Sequence, residues 1–143
     1  MKTISYAITV HNEIDELTNL LNFLQLHIRK EDEIVIQYDE TSVTDEVKEY
    51  VTLMDSIHEN HIVVGFPLNK DFASFKNNLK SHCTKDFIFQ VDADEIPHEY
   101  LVEYLGEVLE TNPVDIVFVP RVNTVEGLTD EHIKKWGWKV DEK

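Results

Sequence analysis

The chain has 143 residues, the size of one ordinary domain, and its 42% hydrophobic and 29% charged residues are enough to form a packed core. The formal net charge of -15 argues against binding to nucleic-acid phosphates or to an anionic membrane surface. A single cysteine, Cys83, excludes an internal disulfide. The strand-like run after Met1 is too short for a signal peptide or a membrane span, so we expect a cytoplasmic protein that reaches the membrane, if at all, through partners.

Strand and helix patterns alternate along the chain. Apolar, β-branched runs predict strands at residues 4–10, 33–38, 61–66, 87–91 and 115–122. Apolar residues at helical spacing between them predict four amphipathic helices, with these apolar faces: Leu17, Leu20, Leu21 and Leu24; Val47, Tyr50, Val51 and Met54; Phe72, Phe75 and Leu79; Leu101, Tyr104, Leu105, Val108 and Leu109. This order predicts an α/β domain, with a mostly parallel sheet flanked by helices on both faces.

Several residues indicate where these elements begin or end. Asn12 and Thr44 are predicted to be the N-caps of the first and second helices. Pro97 is expected in the first turn of the fourth helix, because proline is tolerated there. Pro120 indicates that the fifth strand is an edge strand or carries a bulge.

Polar side chains follow three predicted strands at the point where each strand ends. They are His11, Asn12 and Glu13 after the first, residues 39–42 (DETS) after the second, and Asp92, Asp94 and Glu95 after the fourth. Ligands of open α/β sheets bind beyond the carboxyl ends of the strands, so we expect these groups to lie at one rim. Carboxylates that converge raise each other's pKa, and a divalent cation, Mg²⁺ or Mn²⁺, would relieve that repulsion. Glycine-rich phosphate loops are absent, so a bound phosphate would depend on the cation and on Lys76.

Four blocks of sequence resemble, in order and spacing, the donor-binding half of the family 2 glycosyltransferases. They are AITVHNE (7–13), YDETSVTD (38–45), DFASFKNNL (71–79) and FIFQVDADEIP (87–97). The resemblance implies a single Rossmann-like GT-A domain over residues 1–122, built around a D-x-D motif. It implies a metal-dependent transfer of a sugar from a nucleotide diphosphate, UDP by preference, to an acceptor hydroxyl in glycan or cell-envelope polysaccharide synthesis. Residues 123–143 would begin a truncated acceptor-binding region.

The same resemblance implies the site residues. The nucleotide-sugar site would comprise Thr9, Val10, His11, Glu13, Asp39, Lys76, Asp92 and Asp94. Within it, Thr9 to His11 would line the base, Asp39 would read the base, and Lys76 with Asn77 would lie near the diphosphate. Glu13 would lie near the ribose, which Asp92 would also reach. Asp92 and Asp94 would hold the Mn²⁺ or Mg²⁺ ion, and Glu95 would extend the motif.

The catalytic base is not visible in the sequence. The family places an inverting base well downstream, and Glu126, Asp130 and Glu131 lie in that direction with nothing else to support them. The acceptor, a glycan or a lipid-linked molecule, is unidentified, and a homo-oligomer is left open. Two other classes stay open: a non-catalytic nucleotide-binding or assembly module of the same fold, and an aspartyl-phosphate phosphotransferase, which places its D-x-D after the first strand.

The site residues also have ordinary structural interpretations. The acids from Asp92 to Glu95 are compatible with a solvated turn that leads into the acidic first turn of a helix. Asp39 is compatible with a turn-forming residue, and Lys76 with an exposed, solubilising lysine. The three-dimensional arrangement has to decide whether these residues meet.

Overall fold

The computed structural model describes residues 2–122, and the chain divides into a unit of residues Met1–Pro113 and a second unit that begins at Val114. The strands are β1 (Ile4–Val10), β2 (Glu33–Asp39), β3 (His61–Phe66) and β4 (Phe87–Asp92). The helices are α1 (Ile14–His27), α2 (Asp45–Ile57), α3 (Phe72–Ser81) and α4 (Glu99–Thr111). All strand pairs are parallel, in the order β3-β2-β1-β4, which confirms the predicted α/β class. No helix within residues 2–122 is long and apolar enough to cross a membrane.

Helices cover both faces of the sheet, as predicted. Alternate strand residues such as Tyr6 and Ile8 pack into the main core with α1, α2 and α4. Ala7 and Val35 point to the opposite face, where Leu79 of α3 covers them. The chain therefore crosses the sheet at α3 and returns to add β4 on the far side of β1, so the strand order reverses between β1 and β4.

Two buried carboxylates fix the amino-terminal ends of the strands. Asp32 accepts hydrogen bonds from the Ile4 backbone N–H at 3.0 Å and from the Arg29 guanidinium at 2.9 Å. Glu33 accepts from the Ser5 hydroxyl at 2.6 Å and from the N–H of Thr84 at 2.7 Å. These bonds tie β1 to the start of β2 and to the segment that leads into β4 at this end of the sheet.

The structure corrects two helix starts. The N-cap of α1 is Glu13 and not Asn12, and no side-chain hydrogen bond caps that helix. The Glu13 carboxylate instead turns back and accepts from the N–H groups of His11 and Asn12. Helix α4 begins two residues after Pro97, because the His98 ring supplies the acceptor for its first turn. Thr44 caps α2, as predicted.

Two predicted apolar faces are also partly wrong. Phe72 is 65% exposed at the first position of α3, where only Phe75 and Leu79 are buried. Helix α4 buries Val102, which the pattern did not single out, and leaves Tyr104 and Val108 exposed. The apolar stripe of α4 is wider than the surface it meets, so periodicity could not show which of its sides is buried.

The predicted fifth strand does not form. Residues 114–122 have no regular secondary structure. A strand is stable only when its backbone groups pair with a neighbour, and Pro120 has no N–H to contribute. The domain boundary at residue 122 stays a prediction. Residues 123–143, with Glu126, Asp130 and Glu131, lie outside the described residues.

Candidate functional site

The candidate site lies at the carboxyl ends of β1 and β4, where the strand order reverses. Thr9 and Asp92 are paired residues of these two strands, and the Thr9 hydroxyl donates to Asp92 Oδ1 at 3.1 Å. Lys76 of α3 places its Nζ 3.7 Å from the same oxygen. The side chain of Asp92 is 51% exposed, so its carboxylate is open to a ligand. Three predicted site residues from three separate elements therefore meet at this point.

A tight turn follows β4 and presents the second acid of the motif. The Asp92 N–H donates to the Glu95 carboxylate at 2.9 Å, and the Glu95 N–H donates to the Asp92 carbonyl at 3.0 Å. Ala93 between them is buried, and its N–H donates to the Thr9 carbonyl at 3.3 Å. Asp94 is exposed and has no hydrogen bond or ion pair with any residue in the described range. The turn thus leaves both aspartates facing solvent on either side of an anchored alanine.

The donor set of this turn fits a divalent cation that arrives with its own ligands. Within residues 2–122, no three His, Cys, Asp or Glu side chains are grouped so that they could hold a metal ion. Mg²⁺, however, commonly binds through one or two carboxylates and completes its shell with waters and substrate phosphates. Asp92 and Asp94 supply hard oxygen atoms of that kind. Two carboxylates suit a metal ion that also binds a phosphate group of the ligand better than a metal ion coordinated by protein groups alone.

A groove of about 320 Å³ lies between α3 and the face of β1 and β4 on which α3 packs. Its lining residues are Ala7, Lys76, Asn77, Leu79, Lys80, Ile88 and Gln90. Both residues that were predicted near the diphosphate, Lys76 and Asn77, are among them. Two ammonium groups on one groove are a local concentration of positive charge in a chain of net charge -15, and they favour an anionic ligand there.

Gln37, which no sequence motif pointed to, fixes the part of α3 that carries these residues. It is fully buried in β2, and its amide donates to the Phe75 carbonyl at 2.7 Å and accepts from Asn78 at 2.8 Å. These two partners flank Lys76 and Asn77 in the sequence, so the two bonds hold that turn of α3 over the sheet. The sequence signal for this role was a single amide side chain among the apolar residues in the middle of β2.

Asp39, at the end of β2, is buried and saturated with hydrogen bonds. Its Oδ1 accepts from the N–H of Thr41 at 3.0 Å, the hydroxyl of Thr41 at 2.7 Å and the N–H of Leu68 at 3.0 Å. Its Oδ2 accepts from the Ser42 hydroxyl at 2.8 Å. Burial alone would raise the pKa of Asp39, but these hydrogen bonds hold the pKa well below its usual range. Asp39 therefore ties together the loops that follow β2 and β3.

The remaining predicted residues surround the loop after β1. The His11 ring is 37% exposed, and its Nδ1 lies 3.0 Å from Ser42 Oγ and 3.5 Å from Asp39 Oδ2. Glu13 fixes the backbone of this loop through its bond to the His11 N–H at 2.8 Å. The side chain of Val10 is fully buried in the main core, so only its backbone borders the site. Ser42 was expected at this rim as one of residues 39–42, but it was not assigned to the nucleotide-sugar site.

A solved structure has a similar fold. Its title reads "Crystal structure of S. aureus TarS 1-349", and it matches with a TM-score of 0.67 and 19% sequence identity. The match covers 85% of this chain and 39% of that chain, so the present chain spans well under half of that length. At this identity the likeness shows a shared fold alone. No curated protein matches the chain.

A family comparison covers almost the whole sequence. The family described as "Glycosyl transferase family 2" matches residues 5–141, which include every candidate site residue described above. The parallel sheet and its alternation with helices agree with the fold that the resemblance implies. The chain therefore belongs to glycosyl transferase family 2.

Proposed function

We propose that this chain is the donor-binding domain of a metal-dependent glycosyltransferase, which binds a nucleotide-diphosphate sugar, UDP-linked, with Mn²⁺ or Mg²⁺ at Asp92 and Asp94. The sugar would pass to an acceptor hydroxyl in glycan or cell-envelope polysaccharide synthesis. The family match supports the transfer chemistry. The observation that carries donor binding is the meeting of Thr9, Lys76 and Asp92 at the switch point of the sheet.

The residues have complementary tasks in this proposal. Cleavage of the sugar–phosphate bond develops negative charge on the departing diphosphate, and a bound divalent cation would supply Lewis-acid stabilisation of that charge. Lys76 adds a positive charge at the edge of the groove, and Gln37 holds the helical turn that carries Lys76. The Thr9 hydroxyl orients the Asp92 carboxylate. A base for the acceptor hydroxyl is not assigned, so turnover by this chain is a separate question from donor binding.

Thermal denaturation with UDP tests donor binding directly. A ligand present at ten times its Kd stabilises the folded state by about 1.4 kcal/mol, and for a chain of this size that raises the Tm by about 4–5 °C. We expect this shift with UDP and Mn²⁺ together and little with UDP alone. Asp94→Asn should remove the metal-dependent part. Asp55→Asn, which removes an equal charge from an exposed position on α2, should leave it unchanged.

The outcomes separate the alternatives. No metal-dependent stabilisation at millimolar UDP would overturn the proposal. Binding of UDP without any release of sugar from UDP-sugars would favour the non-catalytic module of the same fold. Sugar release by the wild type that is lost in Asp94→Ala would exclude that module and support a transferase.

A further inference from the structure

We propose that the groove between α3 and β4 binds a phosphate group carried by the acceptor, and that Lys80 is the cation that receives it. This inference rests on the donor-binding function proposed above, and it places the acceptor among phosphorylated saccharides. It uses two groove residues that donor binding leaves without a task, Lys80 and Gln90.

The groove gathers hydrogen-bond donors that no protein group satisfies. Asn77, Lys80 and Gln90 line it, and none of their side chains has a hydrogen bond or ion pair with another residue in the described part of the chain. No Asp or Glu of residues 2–122 is among the lining residues, although acids outnumber bases by 28 to 13 in the whole sequence. An ammonium group and two amide NH₂ groups all donate, so together they favour an anionic ligand.

The groove is open because α3 covers β1 and β2 but not β4. Leu79 of α3 packs on Ala7, whose register partner in β4 is Gln90. Gln90 is exposed and Ile88 is 40% exposed, so within residues 2–122 no helix covers this face of β4. Ala7 contributes only a methyl group to the floor. The volume of about 320 Å³ is at the lower end for small-molecule pockets, which suits one phosphorylated sugar unit.

The groove extends away from the acids at the rim. Gln90 lies two residues before Asp92 in β4, which is about 7 Å back along the strand. Lys80 lies one turn beyond Lys76 in α3, or about 6 Å along the helix axis. Helix α3 runs in that same direction, because the segment that follows it is bonded to Glu33 at the start of β2. A diphosphate bound with a metal ion at the D-x-D turn would therefore leave Lys80 and Gln90 free for a second ligand.

Lys76 joins the groove to the donor site. Its Nζ lies 3.7 Å from Asp92 Oδ1, and its side chain also lines the groove. Asp92 therefore partly neutralises the charge of Lys76, whereas Lys80 has no counter-ion among the described residues. A ligand in the groove would thus lie next to the donor while Lys80 meets its negative charge.

A phosphate group matches these donors better than a carboxylate does. A phosphate monoester offers three strongly accepting oxygens and a charge between -1 and -2 at neutral pH. Those oxygens correspond to the three unpaired donors, on Asn77, Lys80 and Gln90. The apolar side chains of Leu79 and Ile88 line the same groove and suit the carbon skeleton that carries the phosphate.

Titration with a phosphorylated sugar tests the groove while the donor site is filled. The probe is glucose 6-phosphate, glucose is its neutral control, and UDP with Mg²⁺ is present at saturation. We expect glucose 6-phosphate to bind at least about fivefold more tightly than glucose at low ionic strength, where charges are least screened. The amide NMR signals of residues 76–80 and 88–90 should shift on binding, which would locate the ligand in the groove.

Matched substitutions isolate the charge of Lys80. Lys80→Gln should weaken the binding of glucose 6-phosphate at least about fivefold, and Lys80→Arg should retain most of it, because arginine keeps the charge. Lys48→Gln removes an equal charge from an exposed position on α2 and should leave the affinity unchanged. Lys80 also lies in the last turn of α3, where the helix dipole favours a cation, so the readout is ligand affinity and not stability.

The results distinguish this inference from the function it depends on. Equal binding of glucose 6-phosphate and glucose, or equal affinity in Lys80→Gln and wild type, would overturn the phosphate site and leave donor binding in place. Displacement of glucose 6-phosphate by UDP with Mg²⁺ would assign the groove to the donor and overturn the acceptor role. If UDP fails to bind but glucose 6-phosphate still binds through Lys80, the donor function is overturned and the phosphate site stands without that role.

Discussion

Replacing Asp39 with asparagine should destabilise the domain strongly, although the substitution exchanges only one carboxylate oxygen for an NH₂ group. The substitution keeps the size of the side chain and an oxygen at the position of Oδ1, but it removes the charge and replaces Oδ2 with an NH₂ group. That group cannot accept the hydroxyl proton of Ser42. The three donors that meet Oδ1, two from Thr41 and one from Leu68, would face a neutral acceptor.

The structure allows the size of the effect to be worked out. A hydrogen bond to a charged acceptor contributes about 1.5–3 kcal/mol and one to a neutral acceptor about 0.5–1.5 kcal/mol, so each bond at Oδ1 loses about 1 kcal/mol. The Thr41 hydroxyl belongs to an exposed residue and can turn to water, whereas the two backbone N–H groups are held in place. We therefore expect Asp39→Asn to lower the free energy of unfolding at neutral pH by about 2–3 kcal/mol.

The same bonds predict how this difference varies with pH. The folded-state pKa of Asp39 lies well below its usual range, whereas an aspartate in the unfolded chain titrates near pH 4. The stabilisation is therefore complete above about pH 4. At lower pH the unfolded chain takes up a proton that the folded protein does not, so wild type loses about 1.4 kcal/mol per pH unit relative to the variant. The gap between the two proteins should narrow below pH 4.

Urea denaturation of both proteins at neutral pH and near pH 3 measures this gap. Asp55→Asn is the matched control, because it removes one charge from an exposed residue without a hydrogen bond in the described part of the chain. If Asp39→Asn lowers the free energy of unfolding at neutral pH by less than about 0.5 kcal/mol, as the control does, the assigned hydrogen-bond network is refuted. A gap that stays constant into acid would refute its charged character.

Three further predictions concern other parts of the domain. Burial, with a smaller contribution from His58, lowers the pKa of His61 to about 4, so between about pH 6.5 and 4 the unfolded chain binds a proton that the folded protein does not. The free energy of unfolding should fall by about 2.5 kcal/mol as the pH drops through this range, and His61→Gln should flatten that part of a urea-denaturation profile. Gln37→Met removes both hydrogen bonds to α3 and keeps a similar side-chain length. We expect it to lower the free energy of unfolding by about 1–2 kcal/mol and to weaken the binding of UDP and Mn²⁺ in calorimetry. Unchanged affinity would contradict the positioning role. Lys70 has a φ of 61° in a turn closed by a 2.8 Å hydrogen bond from the Asp71 N–H to the Leu68 carbonyl. Glycine adopts such a φ without strain, so Lys70→Gly should stabilise the protein by about 0.5–1 kcal/mol in thermal denaturation. Lys70→Ala keeps the Cβ and should not stabilise it.

The sheet and its helices were largely accessible from sequence because their signals are local. The apolar runs that became β2 and β3, and the leucine stripe of α1, record burial through the spacing of neighbouring residues. The run at residues 115–122 has the same local character but forms no strand. Pairing depends on a partner strand, which the spacing of apolar residues does not specify.

The meeting of Thr9, Lys76 and Asp92 was predictable in outline, because parallel strands bring their carboxyl ends to one edge. The saturation of Asp39 was not predictable. It depends on the Leu68 N–H, which comes from the loop after β3, 29 residues further along the chain. The contact between His11 and Ser42 likewise joins residues that are 31 positions apart in the chain, and no local pattern links the two.

The amino-acid pattern alone thus specified the α/β class, the placement of acids beyond β1, β2 and β4, and the family to which they point. Each of these follows from residue types and short spacings, which can be read directly from the linear sequence. Only the tertiary structure decides which acid is available to a ligand. Asp92 is half exposed at the rim, whereas Asp39 is buried and already accepts four hydrogen bonds. The two residues look alike in the sequence, because the number of donors around a carboxylate is set by segments that meet only when the sheet assembles.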